Sequence, residues 1–309
     1  MDKQAYLILQ NGMTFAGTRL GAEGEIAGEV VFTTGMTGYL EALTDPSYHG
    51  QILVQTFPLI GNYGVIPEDF ESGAPQVRAY IVRECCQAPS NFRCEGTLAS
   101  YLKAQNVIGL CGVDTRALTR AIRENGVMNG IITDSKTLTP AQQALLDSYE
   151  VRGAVQAVTT PEVRRYEAEG AQKHRVALWD FGTKRSLIQA LRQRGCQVTV
   201  WPAGSTAVEI LADEPEGIVL SEGPGDPAAE PALTHQIAQL CQAKRPVLGV
   251  GLGHELLALS QGAKTYRLKH GHRGANQPVK DLATGRVRAT SQNHGYVVDS
   301  ESVQAPGRV

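Results

Sequence analysis

From residue 175 onward short apolar runs alternate with longer amphipathic ones, and this alternation restricts the fold more than any other feature of the chain. The apolar runs are 176–181 (VALWDF), 197–201 (QVTVW), 217–221 (GIVLS) and 246–250 (PVLGV). Helical patterning fills 184–194 and 231–243, and another helix begins just after Gly251. Short strands separated by helices of three or so turns predict a parallel sheet with helices on both faces. Ligands bind such sheets beyond the carboxyl ends of the strands. The informative loops sit there: DFGTKR (180–185), SEGPGDP (221–227) and the junction at 249–254.

The first half follows a different pattern. Residues 5–10 (AYLILQ) read as a strand entering a hairpin turn at Asn11-Gly12. Further β-rich runs are 29–34, 51–57 and 77–83. Residues 97–105 and 115–125 read as helices, the second capped by Asp114 or Thr115 and stopped by Gly126. A polar, weakly patterned stretch runs from about 136 to 174, with a short helix at 140–150. The chain therefore divides into a mixed, β-rich domain at 1–150, a connector at 151–174 and an α/β domain at 175–309. A length of 309 residues suits two domains.

Composition narrows the function classes. Lys and Arg number 29 against 31 Asp and Glu, with no basic block of the kind that marks a nucleic-acid surface. No apolar run approaches the length of a membrane span. The opening MDKQAYLILQNG reaches a strand and a turn before any long apolar stretch, so it does not read as a signal peptide. The cysteines (85, 86, 94, 111, 196 and 241) have neither zinc nor disulfide spacing and read as reduced thiols.

At Gly249-Val250-Gly251-Leu252-Gly253 an apolar strand runs directly into a helix through a glycine-bracketed turn. A nucleophile elbow has this form: the middle residue of G-x-nucleophile-x-G sits on a strained bend, and small neighbours let the chain pack. The middle residue here is Gly251, which has no side chain. By itself the motif reads equally as a glycine-rich turn that binds an anion through its amides. Gly223 and Gly225 in SEGPGDP could present N–H groups to a carbonyl, or simply make a turn. His254 and His294 taken singly read as structural. His270 and His272 form H-x-H without a third metal ligand in view.

Together these segments resemble the small, glutamine-hydrolysing subunits of carbamoyl-phosphate synthetases, members of the class I (triad) glutamine amidotransferases. In the first domain the likeness rests on GEVVFTTGMTGYLEALTDPSYHGQILVQTFPLIGNYG, SNF at 90–92 and GVDTRALTRAIRENG. In the second it rests on DFGTKRSL, LSEGPGDPA, PVLGVGLGHELLALSQGAKTYRLKHGHRGANQPV and SQNHGYVVD. The first-domain blocks are the more diagnostic, because other triad amidotransferases share only the second domain. The resemblance implies a flavodoxin-like second domain. It also implies hydrolysis of glutamine to glutamate and ammonia, with ammonia tunnelled to a large subunit. That partner makes carbamoyl phosphate from it, bicarbonate and two ATP, for pyrimidine and arginine synthesis. A cytoplasmic heterodimer is implied, with no cofactor in this chain and ATP and Mg on the large subunit only.

Carried over by position, the nucleophilic cysteine falls on Gly251 and is absent. The oxyanion hole falls on the N–H groups of Gly223 and Leu252. Substrate contacts fall on Ser47 from the first domain and on Gly223, Gly225, Leu252, Glu255, Asn293, Gly295 and Tyr296. The family's catalytic His and Glu lie in a Gly-His-Pro-Glu type segment beyond QNHG, and these 309 residues contain none. The resemblance thus implies a second domain incomplete at its C-terminus. Other departures are Glu222 for Asn, Ser186 for Asn, Glu255 for Gln and Gln277 for His. The sequence therefore predicts a small subunit with a defective glutaminase step. The alternative is a non-catalytic binding or scaffold subunit supporting ammonia-dependent synthesis. A hydrolase using Ser221 is a weaker third reading, since no motif places a base beside it.

Overall fold

The Asn11-Gly12 turn joins β1 (Gln4–Leu9) to β2 (Thr14–Gly21). Gly12 takes a positive φ of 86°, and the Asn11 side chain accepts the Met13 N–H at 3.1 Å. In the computed structural model, which describes residues 3–303, the chain forms two units. The first comprises the chain up to Val151 together with Lys269–Asn293, and the second comprises Arg152–Leu268 and the chain from His294 on.

After β1 and β2 the first unit continues through β3 (Ile26–Thr33), α1 (Tyr39–Thr44), β4 (Gln51–Gln55), β5 (Leu59–Ile60), β6 (Ala79–Ile81) and β7 (Glu84–Cys85). Then come α2 (Leu98–Ala104), β8 (Ile108–Cys111), α3 (Thr115–Asn125), β9 (Met128–Thr133) and α4 (Pro140–Ser148). Seven strands close into a barrel in the order β1-β2-β8-β6-β4-β3-β9, and β5 and β7 pair separately. Alternation of two sorts the apolar side chains. Leu7, Leu9, Val30, Phe32, Ile52, Val54 and Ile81 pack in one cluster with Leu118, Ala121 and Ile122 of α3. Val31, Leu53, Tyr80 and Val82 pack in another with Leu40 of α1 and Leu98 of α2. Both strand faces are covered, which is why 52–54 (ILV) is apolar without interruption.

Helix α3 begins and ends where its sequence dictates. Asp114 is the cap, accepting the Ala117 N–H at 2.9 Å, and Gly126 stops the helix at φ 93°.

The second unit contains α5 (Ala154–Val158), β10 (Arg164–Tyr166), β11 (His174–Asp180), α6 (Arg185–Gln193), β12 (Cys196–Pro202), α7 (Ala207–Ala212), β13 (Gly217–Leu220), α8 (Pro231–Cys241), β14 (Val247–Gly249) and α9 (Leu252–Ser260). Its sheet runs β10-β12-β11-β13-β14, with β11 parallel to β12 and β13, and β13 parallel to β14. Ala177, Trp179, Phe181, Ile218 and Leu220 pack on α7, α8 and α9. Leu178, Val198, Val200 and Val219 pack on the opposite face with Leu187, Ile188 and Leu191 of α6. This is the doubly covered α/β sheet that the alternation requires.

Two stretches differ from the sequence reading. Within 151–174, read as a connector, Ala154 and Val155 are buried and β10 pairs antiparallel with β12. As an edge strand β10 carries Arg164 and Arg165, and that charge hides its strand character. Within 175–309, β15 (Thr265–Lys280) and β16 (Val287–Val298) form a hairpin whose distal part, Lys269–Asn293, groups with the first unit. There the Val127 N–H donates to the Lys269 carbonyl at 2.8 Å. No helix among the described residues is long and apolar enough to cross a membrane.

Ile122 is fully buried where α3 meets the strands. We expect Ile122→Ala to cost about 2–5 kcal/mol in urea denaturation followed by far-UV circular dichroism. A cost below about 0.5 kcal/mol, the range of a surface substitution, contradicts this packing.

Candidate active site at the carboxyl edge of the parallel sheet

Strand β14 turns into α9 with very little room. The Gly253 N–H donates to the Ser221 and Val250 carbonyls, both at 2.9 Å, and the Val250 N–H donates to the Leu220 carbonyl at 2.9 Å. A Cβ on Gly253 would drive into the Leu220 carbonyl oxygen, and one on Gly249 would lie 2.6 Å from the His254 Cα. The outer glycines therefore let the helix start against the backbone of β13. Between them Gly251 is forced to φ 52°, ψ −119°, a conformation that L side chains rarely adopt. A Cβ there would sit 3.2 Å from the Glu222 Cβ. The bend has the strained strand-to-helix form of a nucleophile elbow, and its apex carries only hydrogen.

The loop after β13 approaches this apex. Gly223 packs so closely on the Phe181 carbonyl that no Cβ fits, and its absent Cβ would be 3.0 Å from the Leu252 side chain. The N–H groups of Gly223 and Leu252 are not taken up by another backbone carbonyl among the described residues. Leu252 is the first residue of α9, where unspent N–H groups and the helix dipole favour negative charge.

The loop after β11 completes the edge. Buried Asp180 accepts the N–H groups of Gly182 at 2.9 Å and Thr183 at 2.7 Å through one oxygen, and that of Thr160 at 2.6 Å through the other. Buried Glu222 accepts the Lys184 N–H at 3.1 Å, with the Lys184 ammonium at 4.0 Å, and so ties DFGTKR to SEGPGDP. In the sequence Glu222 stands out only as a departure from the family pattern, and Asp180 and Lys184 only as members of DFGTKR. Such ties depend on which strand ends become neighbours, so no local spacing reveals them.

The Ser221 hydroxyl is committed to the fold. It accepts the Phe181 N–H and donates to the Glu222 carbonyl, both at 2.8 Å, which leaves the serine-hydrolase reading without support. The cysteines offer no substitute at the apex. All six are free thiols, and burial pushes Cys85 up to about 11 and raises Cys241, opposite to the direction that activates a thiolate.

One turn along α9 from the apex, Glu255 is buried, and its N–H donates to the Gly251 carbonyl at 3.1 Å. Burial first, and the Asp226 charge second, push its carboxyl up to about 8. His254, its neighbour, is held below the usual imidazole range by burial. In the first unit Ser47 and Asn293 meet at one carboxylate. Asp45 accepts the Ser47 N–H at 2.9 Å and the Asn293 amide at 3.0 Å. Gly295 and Tyr296 lie on β16 in the second unit, where the Tyr296 carbonyl is 2.7 Å from the His294 Nδ1. Gly225, in the loop bearing Gly223, takes φ 98°.

Comparison with known proteins first defines the class. A family model for class-I glutamine amidotransferases matches residues 177–308, and one for the carbamoyl-phosphate synthase small chain, CPSase domain, matches 7–132. The carbamoyl phosphate synthase small chain of Clostridium perfringens is 51% identical over 296 residues, covering 96% of this chain and 83% of that one. Those of Listeria innocua and Symbiobacterium thermophilum are 48% and 47% identical, each over 96% of this chain and over 81% and 83% of theirs. The chain belongs to the carbamoyl phosphate synthase small chain family.

Two outcomes follow from this geometry. Gly251→Ala places a Cβ on a backbone that disfavours it, so the variant should lose about 1–3 kcal/mol of stability in urea melts; an unchanged midpoint contradicts the bend. Glu255 should make stability depend on pH. An unfolded Glu ionises near 4.5 and the folded one near 8, so between these values the folded state holds the extra proton and stability falls as pH rises. Glu255→Gln removes that loss, so its advantage over the unsubstituted chain should be larger at about pH 8 than at about pH 5. An equal advantage at both contradicts the burial of the carboxyl.

Proposed function

We propose that this chain is a partner-binding small subunit for carbamoyl phosphate synthesis in which the glutamine-hydrolysing step is lost. The observation that carries the reading is Gly251: the apex of a preserved elbow presents no nucleophile. An amide is a poor electrophile, so its hydrolysis in this family's manner requires an activated thiolate acting together with an oxyanion hole. On this reading the N–H groups of Gly223 and Leu252 are the remnant of the oxyanion hole. Within the second unit Gly223, Gly225, Leu252, Glu255, Gly295 and Tyr296 are the remnant of the glutamine site. With donors but no attacking atom, a bound amide has no covalent route to glutamate.

The partner is a large subunit that holds ATP and Mg and uses ammonia, so the working form is a heterodimer in the cytoplasm serving pyrimidine or arginine synthesis. Support for a retained partner role comes from the first unit, where the small-chain family match at 7–132 falls on a closed, fully packed barrel.

The test is reconstitution of the purified chain with a large subunit. Carbamoyl phosphate should form from ammonium at the rate the large subunit supports, while glutamine-dependent synthesis stays at background. Glutamine-dependent synthesis above background overturns the reading.

A further inference from the structure

Within the first unit a cavity of about 900 Å³ opens beside α3, and four arginines line it: Arg83, Arg116, Arg120 and Arg123. The last three recur at helical spacing on α3, so they share the face opposite Leu118 and Ile122, which pack into the barrel. Arg83 joins them from the segment between β6 and β7. The hydroxyl-bearing Thr34 and Thr119 line the same space.

Charge in this cavity is poorly balanced. Arg120 has Glu124 at 3.8 Å, a loose and exposed pair. Among the described residues no carboxylate lies within ion-pair distance of Arg83, Arg116 or Arg123. The chain as a whole has two more acidic than basic side chains, so the cluster is not a sample of a generally basic surface. The neighbouring imidazole of His270 responds to it: burial first and the Arg123 charge second hold it below its usual range. Four guanidinium groups around one concavity repel each other unless an anion joins them.

The donors select the kind of anion. Guanidinium forks match the paired oxygens of phosphate, and threonine hydroxyls supply further hydrogen bonds. The volume falls within the range of small-molecule sites, about 300–1,000 Å³, and exceeds what a lone phosphate fills. We infer that this cavity binds a phosphorylated small molecule, its phosphate held by Arg116 and Arg123 and flanked by Arg83. This site is independent of the glycine junction and of whether glutamine is hydrolysed.

Inorganic pyrophosphate, titrated calorimetrically into the full chain at low ionic strength, serves as the probe. Saturable one-site binding is expected, weakened about tenfold or more in Arg116→Gln/Arg123→Gln. Arg116→Lys/Arg123→Lys, which keeps the charge but loses the fork, should fall between. Arg288→Gln, a control outside the cavity, should bind as the unsubstituted chain does, and circular dichroism should show each variant folded. Absence of saturable binding to the unsubstituted chain overturns the inference. So does equal affinity in the folded double glutamine variant, or tighter binding of an oligoglutamate peptide than of pyrophosphate.

Discussion

The second unit depends on how closely helix α9 can start against strand β13. The Gly253 amide reaches the Ser221 carbonyl at 2.9 Å, a distance that no larger residue at 253 would permit. That contact fixes where the helix begins and forces the bend at Gly251. It also brings the first N–H of α9 alongside the Gly223 loop, because β13 and β14 are parallel neighbours whose carboxyl ends must emerge together. The site is thus a consequence of strand order and of three glycines, and it would take the same shape with or without a reactive side chain at its apex.

The form of the elbow is therefore independent of what its apex carries. Strain at an elbow is normally associated with presenting a nucleophile. Here the apex residue is the one type that accepts φ 52° without strain, so the bend forms at little conformational cost. Around it two carboxylates do structural work. Glu222 links two loops through the Lys184 amide, and Glu255 sits buried in the helix with its proton retained to about 8. A protonated Glu255 presents both a donor and an acceptor, as an amide does, so at neutral pH this position is closer to an amide than to a carboxylate.

Much of the fold could be read from the residues, and the exceptions share a cause. Asp114 and Gly126 bound α3, Asn11-Gly12 makes its hairpin, and β11, β12, β13 and β14 fall within a residue or two of their apolar runs. These features depend on local chemistry. Strand β10 and the β15–β16 hairpin carry charge where a strand signal should be apolar, because an edge strand and a projecting hairpin bury little. Closure of the barrel by β1 with β9 joins segments about 120 residues apart and leaves no local mark. At the site, Gly251 was legible because a missing side chain in a patterned motif is itself a signal. The Asp180 and Glu222 ties were not, since both link loops brought together only by the sheet.

The central claim is that the apex at Gly251 supports no covalent chemistry on glutamine. Intact-mass spectrometry of the chain, quenched while incubated with L-glutamine and a large subunit, tests it directly. The account predicts the unmodified mass at every time point. A γ-glutamyl adduct on any residue of this chain would contradict it.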